Sequence, residues 1–441
     1  MTETIELPLI PEDALTKEAL MAKLADGQKP ISTAELAEIL DSTIKHDSNN
    51  KIITFLTMLL TYTEEDQINI SFAAESSTGK SYIPLELAWY FPNVVEYCYV
   101  SPTAFFHDYG NLITDPADKR DIPDEKKHKI IEIDLHQKIL IFMDQPHDML
   151  LQRLRPLLSH DRKELTLKIT DRKKSALRTK VVHILGYPTV IFCTAKFEMA
   201  EQERTRLLLL SPETDTGKIK DSIELKILKE SDRDAFKQFM ESDPKRKWLR
   251  ERVAAIQTYH IKNIIIDEEM RKQIQTKFFE LHPENKLVPR NQRDITRLIA
   301  FIKAHALLNL WQRKHDIIKD SVYVNQEDVD AGFKLYEGIS KPNELGLPPG
   351  VYDIYIKLLK DDPNLTERGI SRKEFQRRYF ALFNRILGKK RLEEIITLLE
   401  STGLIIEEPD PTDKRMKSIT FLQKLNTPEC VCTPPSLLKN R

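Results

Sequence analysis

The residues best suited to do chemistry begin at position 74. The stretch 68–81, INISFAAESSTGKS, is an apolar, β-prone run. It ends in a loop that closes with Thr78-Gly79-Lys80-Ser81, and a helical pattern follows. Strand, then Gly-Lys-Ser loop, then helix is the order that a phosphate-binding loop requires. Backbone N–H groups of such a loop cradle phosphate oxygens, and the positive end of the next helix adds to them. On this reading Ala74, Glu75, Ser76, Ser77, Thr78, Gly79, Lys80, Ser81 and Tyr82 line a nucleotide site. Lys80 reaches the β- and γ-phosphates, and the Ser81 hydroxyl ligates Mg²⁺. Ala74 stands where the motif has its first glycine, and alanine disfavours positive φ.

A partner motif lies downstream. Residues 138–144, KILIFMD, form an apolar run that ends in an acid. A carboxylate at the end of a central strand, following a phosphate loop, holds the hydration shell of Mg²⁺, which assigns that role to Asp144. The next residue is Gln145, where many nucleotide hydrolases carry a glutamate. A neutral amide orients water but takes no proton. ATP binding is therefore better supported than fast hydrolysis, with Glu75 or an acid from a neighbouring subunit as substitutes. Residues 189–194, TVIFCT, read as a buried strand ending at the polar Thr194, followed by a helix-like stretch that carries Arg204 and Arg206.

The elements around these residues suit an α/β chain. Its 441 residues are 41% hydrophobic and 31% charged with only 12 glycines, which fits a helix-rich globular protein of two or three domains. A net charge of −1 confines any nucleic-acid contact to local basic patches. Cys98, Cys193, Cys430 and Cys432 make no disulfide framework, and Cys430 and Cys432 lack a nearby His/Cys pair for a metal. The start of the chain has no signal-peptide pattern and no apolar run reaches membrane-spanning length, so a cytoplasmic protein is expected.

Residues 1–48 read as a helical lead-in, with Ser32 capping a helix and Glu35 three residues on. Residues 51–62 form an apolar helix beside the nucleotide. Residues 165–170 and 177–184 form a hairpin whose surroundings, 161–180, hold eight Lys/Arg and three Asp/Glu, a local +5. Lys173, Lys174 and Arg178 there either contact phosphates or solvate a sheet edge. The span 341–350, KPNELGLPPG, reads as a linker. Beyond it come three helical patterns and two strands joined by a turn, the order of a winged helix. Residues 368–391 hold nine Lys/Arg and one Glu, a local +8 suited to DNA phosphates. Lys389, Lys390 and Arg391 begin the third helix, while Lys414, Arg415 and Lys417 lie on the wing.

Together these features resemble the AAA+ ATPases, especially the ATPase core of MCM replicative helicases and the MCM-like helicases of mobile elements, over residues 50–340 and then in the winged helix. The strongest local likeness is RDITRLIAFIKAHA at 293–306, similar to the lid helix that opens with the sensor 2 arginine, and EDVDA at 327–331, similar to the start of the next lid helix. The resemblance implies Arg293 as sensor 2, Thr194 at sensor 1, Arg206 as arginine finger with Arg204 second, and the 165–184 hairpin as an insertion reaching a central channel. It implies an AAA+ αβα core at 49–238, a helical lid at 239–340, a linker at 341–350, a winged helix at 351–425 and a tail at 426–441. It further implies a hexameric ring that hydrolyses ATP with Mg²⁺, moves on DNA and meets other replication proteins. An origin-recognition-like initiator or helicase loader using ATP as a slow switch is the second reading, and a protein remodeller the third.

Overall fold

The computed structural model describes residues 22–75, 77–101, 104–108, 110–115, 118–121, 123, 128–173, 176–195, 206–316, 320–410 and 417–422. It forms two compact units, residues 1–350 and 351–441. In the first unit the strands are β1 (Asn69–Ala73), β2 (Val94–Tyr97), β3 (Asn111–Thr114), β4 (Lys129–Asp134), β5 (Ile139–Phe142), β6 (Glu164–Lys173), β7 (Ala176–Leu185), β8 (Thr189–Thr194) and β9 (Leu207–Leu210). Five of them make one sheet in the order β2-β5-β8-β1-β9. Every neighbouring pair in it is parallel. The fold class is α/β.

Side-chain alternation sends the two faces of this sheet into two cores. Ile70, Phe72, Ile141, Ile191, Cys193 and Leu208 pack against the helices Thr33–Leu40, Ser48–Leu59, Tyr82–Ala88, Pro244–Tyr259 and Asn291–Leu308. Leu140, Phe142, Val190, Phe192, Leu207 and Leu209 pack against helix Asp148–Leu158 and a second sheet, ordered β3-β4-β7-β6. Both faces of a parallel sheet are thus covered, which explains why β1, β5, β8 and β9 are buried end to end.

Three expectations change here. The helix-like stretch expected after Thr194, carrying Arg204 and Arg206, gives way at 207–210 to the edge strand β9. Four consecutive leucines carry no period, and pairing with β1 decides the conformation. The segment 341–350 is no exposed linker. Residues Ser340–Glu344 are helical, and buried Asn343 donates to Leu209 O at 3.0 Å while accepting from Leu209 N at 2.9 Å, satisfying the open edge of β9. The hairpin β6–β7 is longer than expected, running in register from Glu164↔Leu185 to Lys173↔Ala176.

The lead-in is built into the core. Ser32 and Glu35 form the expected capping box, with Glu35 N donating to Ser32 Oγ at 3.2 Å and Ser32 N to Glu35 Oε2 at 2.8 Å. Arg252, wholly buried, ties this segment to the long helix Asn291–Leu308. Its guanidinium donates to Leu308 O at 2.7 Å and Lys29 O at 2.6 Å, between the rings of Trp248 and Trp311. Burial without a carboxylate partner, reinforced by Arg313, pulls its pKa down to about 9.

In the second unit, helices Pro349–Asp361, Arg372–Phe383 and Lys389–Ser401 accompany a three-stranded antiparallel sheet of β13 (Ile370–Ser371), β15 (Lys417–Phe421) and β14 (Ile405–Pro409). (β10, β11 and β12 form a small sheet in the first unit, at Asn263–Ile265, His315–Asp316 and Ser321–Tyr323.) Tyr355 stacks on Phe421 with centroids 5.5 Å apart. No described helix is long and apolar enough to cross a membrane.

Replacing Arg252 by Ala leaves several buried carbonyls without a donor and opens a hole between two tryptophans. Each orphaned group costs about 1–3 kcal/mol, so Arg252→Ala should lose roughly 3 kcal/mol or more, read as a lower urea midpoint with an unchanged slope.

Candidate nucleotide site

Parallel pairing brings the carboxyl ends of β1, β8 and β5 to one edge. Ala73 lies opposite Thr194, and Phe192 opposite Phe142, so the loop after β1, Thr194, and Asp144-Gln145 converge there. Ala74 N donates to Thr194 O at 3.2 Å. Thr194 Oγ1 lies 3.5 Å from Gln145 Oε1, and Gln145 N donates to Asp144 Oδ1 at 2.8 Å. The Cys193 thiol donates to Lys80 O at 3.6 Å, tying the loop to the end of β8.

The loop itself is shaped by its own residues. Gly79 takes φ +90°, a conformation that only glycine adopts freely, and Ser77 takes φ +65°. Ala74 is not among the positive-φ residues, so the missing glycine causes no strain. Thr78 Oγ1 donates to Glu75 O at 2.8 Å and closes the turn. Lys80 and Ser81 are half-exposed and Asp144 is exposed, while Thr194 is 1% exposed. The helix that follows, Tyr82–Ala88, is short, and Tyr82 is tied away from the loop by donating its hydroxyl to Thr43 O at 2.8 Å. A cationic side chain, a hydroxyl and an exposed carboxylate around one loop suit a Mg²⁺-bound polyphosphate.

The two described arginines lie elsewhere. Arg206 immediately precedes β9, whose first residue Leu207 pairs with Asn69, at the amino end of β1. Arg206 and Arg293 line one cleft of about 310 Å³ with Gln67, Asn69, His160 and Asp161. The loop and this cleft are separated by the length of β1, about 13 Å at ~3.3 Å per residue. One chain therefore does not assemble all six expected catalytic residues: Lys80, Asp144, Gln145 and Thr194 gather at one edge, Arg206 and Arg293 at the other. Arg206 also lines a narrow cavity beneath the sheet that reaches Gln145, and its Nη1 is buried there with no hydrogen-bond acceptor among the described residues. Arg297, one turn beyond Arg293, is held inside by Leu207 O at 2.8 Å and Asp294 at 3.1 Å. His160 was not singled out in the sequence because nothing marks a lone histidine after a helix. Burial pushes its pKa down, and its Nε2 has no hydrogen-bond partner among the described residues.

The basic positions divide. Lys389 and Lys390 are exposed at the start of their helix. Arg391 is half-buried and donates to Glu394 at 2.9 Å, and Lys417 donates to Glu407 at 2.8 Å, so neither is the free cation expected. Arg372 binds the same Glu407 through two bonds, and Arg378 pairs with Glu374 and Asp362. Glu407, Asp362 and Glu394, outside the counted window, thus pair with Arg372, Arg378 and Arg391 and reduce the local +8. Ser76, Lys174, Arg204, Lys414 and Arg415 lie outside the described residues, as do the side chains of Lys173 and Arg178.

No protein-family model matches the sequence, and no curated protein matches it.

Burial raises the Cys193 thiol to about 12, leaving it neutral and shielded, whereas Cys98 is exposed. Iodoacetamide at pH 8 should alkylate Cys98 in the folded protein and spare Cys193 until denaturant is added, as read by peptide mass spectrometry.

Proposed function

We propose that this chain is an ATP-driven, DNA-binding motor of the AAA+ kind, resembling MCM-like helicases, whose nucleotide site is shared between copies. The observation that carries the reading is the meeting of the Thr78–Ser81 loop, Asp144, Gln145 and Thr194 at one edge of a parallel sheet. The residues fit the nucleotide. Lys80 offsets the charge of the terminal phosphates, and Ser81 and Asp144 hold Mg²⁺ with its waters. Gln145, supported by Thr194, orients the attacking water.

Arg206 and Arg293 belong in this reading to the site of the next copy, where they counter the charge that develops on the transferred phosphoryl group. Their shared cleft beside Asn69, at the amino end of β1 and away from the loop of the same chain, supports it. Hydrolysis then weakens the contact between copies and moves the β6–β7 hairpin, which in this reading holds one DNA strand. The three helices and antiparallel strands of 351–422 form a winged helix that grips duplex DNA through Lys389 and Lys390. Gln145 favours one second reading, an initiator or loader in which ATP is a slow switch, since an amide takes no proton from water. A bound ATP that outlives DNA release by many minutes supports the switch; turnover stimulated by single-stranded DNA supports the motor.

Lys80→Ala should abolish nucleotide binding and lower turnover by a hundredfold or more, about 3 kcal/mol of transition-state stabilisation. Mixing it with Arg206→Ala protein should recover part of the activity, because one mixed contact carries an intact site. Absence of recovery, with each variant folded, rejects the shared site.

Lys389→Ala/Lys390→Ala should weaken duplex binding and lower the slope of log affinity against log salt by about two, one per lost phosphate contact. Arg391→Ala should change that slope little. A fluorescence anisotropy titration over a salt series reads both.

A further inference from the structure

The helix Thr216–Ser231 buries only Lys218 among its residues. Ile219, Ile223 and Ile227 recur every four residues and make one ridge, 42%, 54% and 62% exposed, with Leu228 beside it at 56%. The root of the helix is fixed at the loop end of the central sheet. His46 Nε2 and Asp221 lie 2.9 Å apart, Lys218 pairs with buried Asp47, and the neighbouring Ser211 donates to Ala73 O at 2.8 Å. A ridge of isoleucines held on a firm base and left uncovered by the described residues calls for an apolar partner.

A matching recess exists on the same unit. Helices Glu268–Leu281 and Asn291–Leu308 enclose an apolar groove of about 620 Å³, lined by Ile274, Phe278, Leu287, Val288, Ile295 and Ile299. Leu287 and Val288 on its rim are exposed. The helix Asn291–Leu308 serves both sites: Gln292, Ile295 and Ile299 face the groove, and Arg293, Thr296 and Arg297 face the arginine cleft.

We infer that the Ile219/Ile223/Ile227 ridge of one copy seats in the Ile274/Phe278/Ile295 groove of the next copy. The inference rests on the shared site proposed above, and the geometry ties the two together. The ridge is rooted at the loop end of the sheet, and the groove shares its helix with the arginine end. One head-to-tail contact therefore brings loop to arginines and ridge to groove at once. A ridge with four-residue spacing lying between two helices is the helix-in-groove mode of recognition. Because the two surfaces differ, the contact is heterologous and repeats into a ring or filament.

The test uses the full chain carrying Cys98→Ser, Cys430→Ser and Cys432→Ser. Ile223→Cys protein is mixed with Val288→Cys protein, with Mg²⁺ and a non-hydrolysable ATP analogue, and treated with a short bismaleimide. The expected result is a cross-linked dimer that contains one of each and is at least tenfold more abundant than with either protein alone. Cross-linking no greater than in the single proteins overturns the inference. Cross-linking only within one chain that carries both cysteines does so too. As a second measurement, Ile223→Lys should raise the protein concentration needed for assembly at least tenfold in light scattering while binding the fluorescent analogue normally. If Ile223→Lys assembles like wild type, the contact is wrong and the nucleotide reading stands. If wild type fails to bind the analogue, the nucleotide reading itself fails.

Discussion

Parallel pairing of β1 with β8 on one side and β9 on the other is the constraint on which the rest depends. A parallel strand gathers the loops that follow all its neighbours at one edge and those that precede them at the other. The loop of Lys80, the acid Asp144 and the polar Thr194 all follow strands, so they meet. Arg206 precedes a strand, so it is sent to the far edge, where Arg293 joins it. The separation of Arg206 from the Lys80 loop is therefore a consequence of topology. Moving Arg206 to the same edge would need β9 reversed, with its pairing to β1 and its capping by Asn343 rebuilt.

The surrounding structure makes that edge strand tolerable. An open strand of four leucines would invite association, yet Asn343 supplies both a donor and an acceptor to Leu209. Asn309 does the same for Ile31, accepting from its N–H at 2.9 Å and donating to its carbonyl at 3.0 Å. Arg252 adds a third tie, between the lead-in and the end of the long helix. These side chains reproduce strand-like pairing where no strand runs. Arg297, on the helix that carries Arg293, donates to Leu207 O at 2.8 Å and holds that helix against the sheet beside the arginine cleft.

Much of this was legible in the sequence. The strand–loop–helix around Gly79, the acid that ends KILIFMD and the capping box at Ser32 each rest on local chemistry, and the structure has them where the residues indicate. What stayed hidden was non-local. The run 207–210 carries no period, and only its pairing with β1 makes it a strand. The proline- and glycine-rich span at 341–350 looks like a linker until Asn343 meets Leu209. A count of basic residues over 368–391 misses Glu394, Glu407, Asp361 and Asp362, which fold back onto Arg391, Arg372 and Arg378. Charge density along a chain overstates charge density in space whenever acids outside the window pair with it. Most of all, no reading of spacing separates Arg206 from Lys80, since both flank buried strands.

In the proposed reading each copy holds two half-sites, unlike a single-chain hydrolase. The most direct measurement is the specific rate of ATP hydrolysis, per molecule, over a wide range of protein concentration with Mg²⁺ and single-stranded DNA at saturation. The account predicts a rate per molecule that rises from near zero as copies associate, then reaches a plateau. A rate per molecule that is constant from the lowest concentration would show that one chain hydrolyses ATP by itself, and would contradict it.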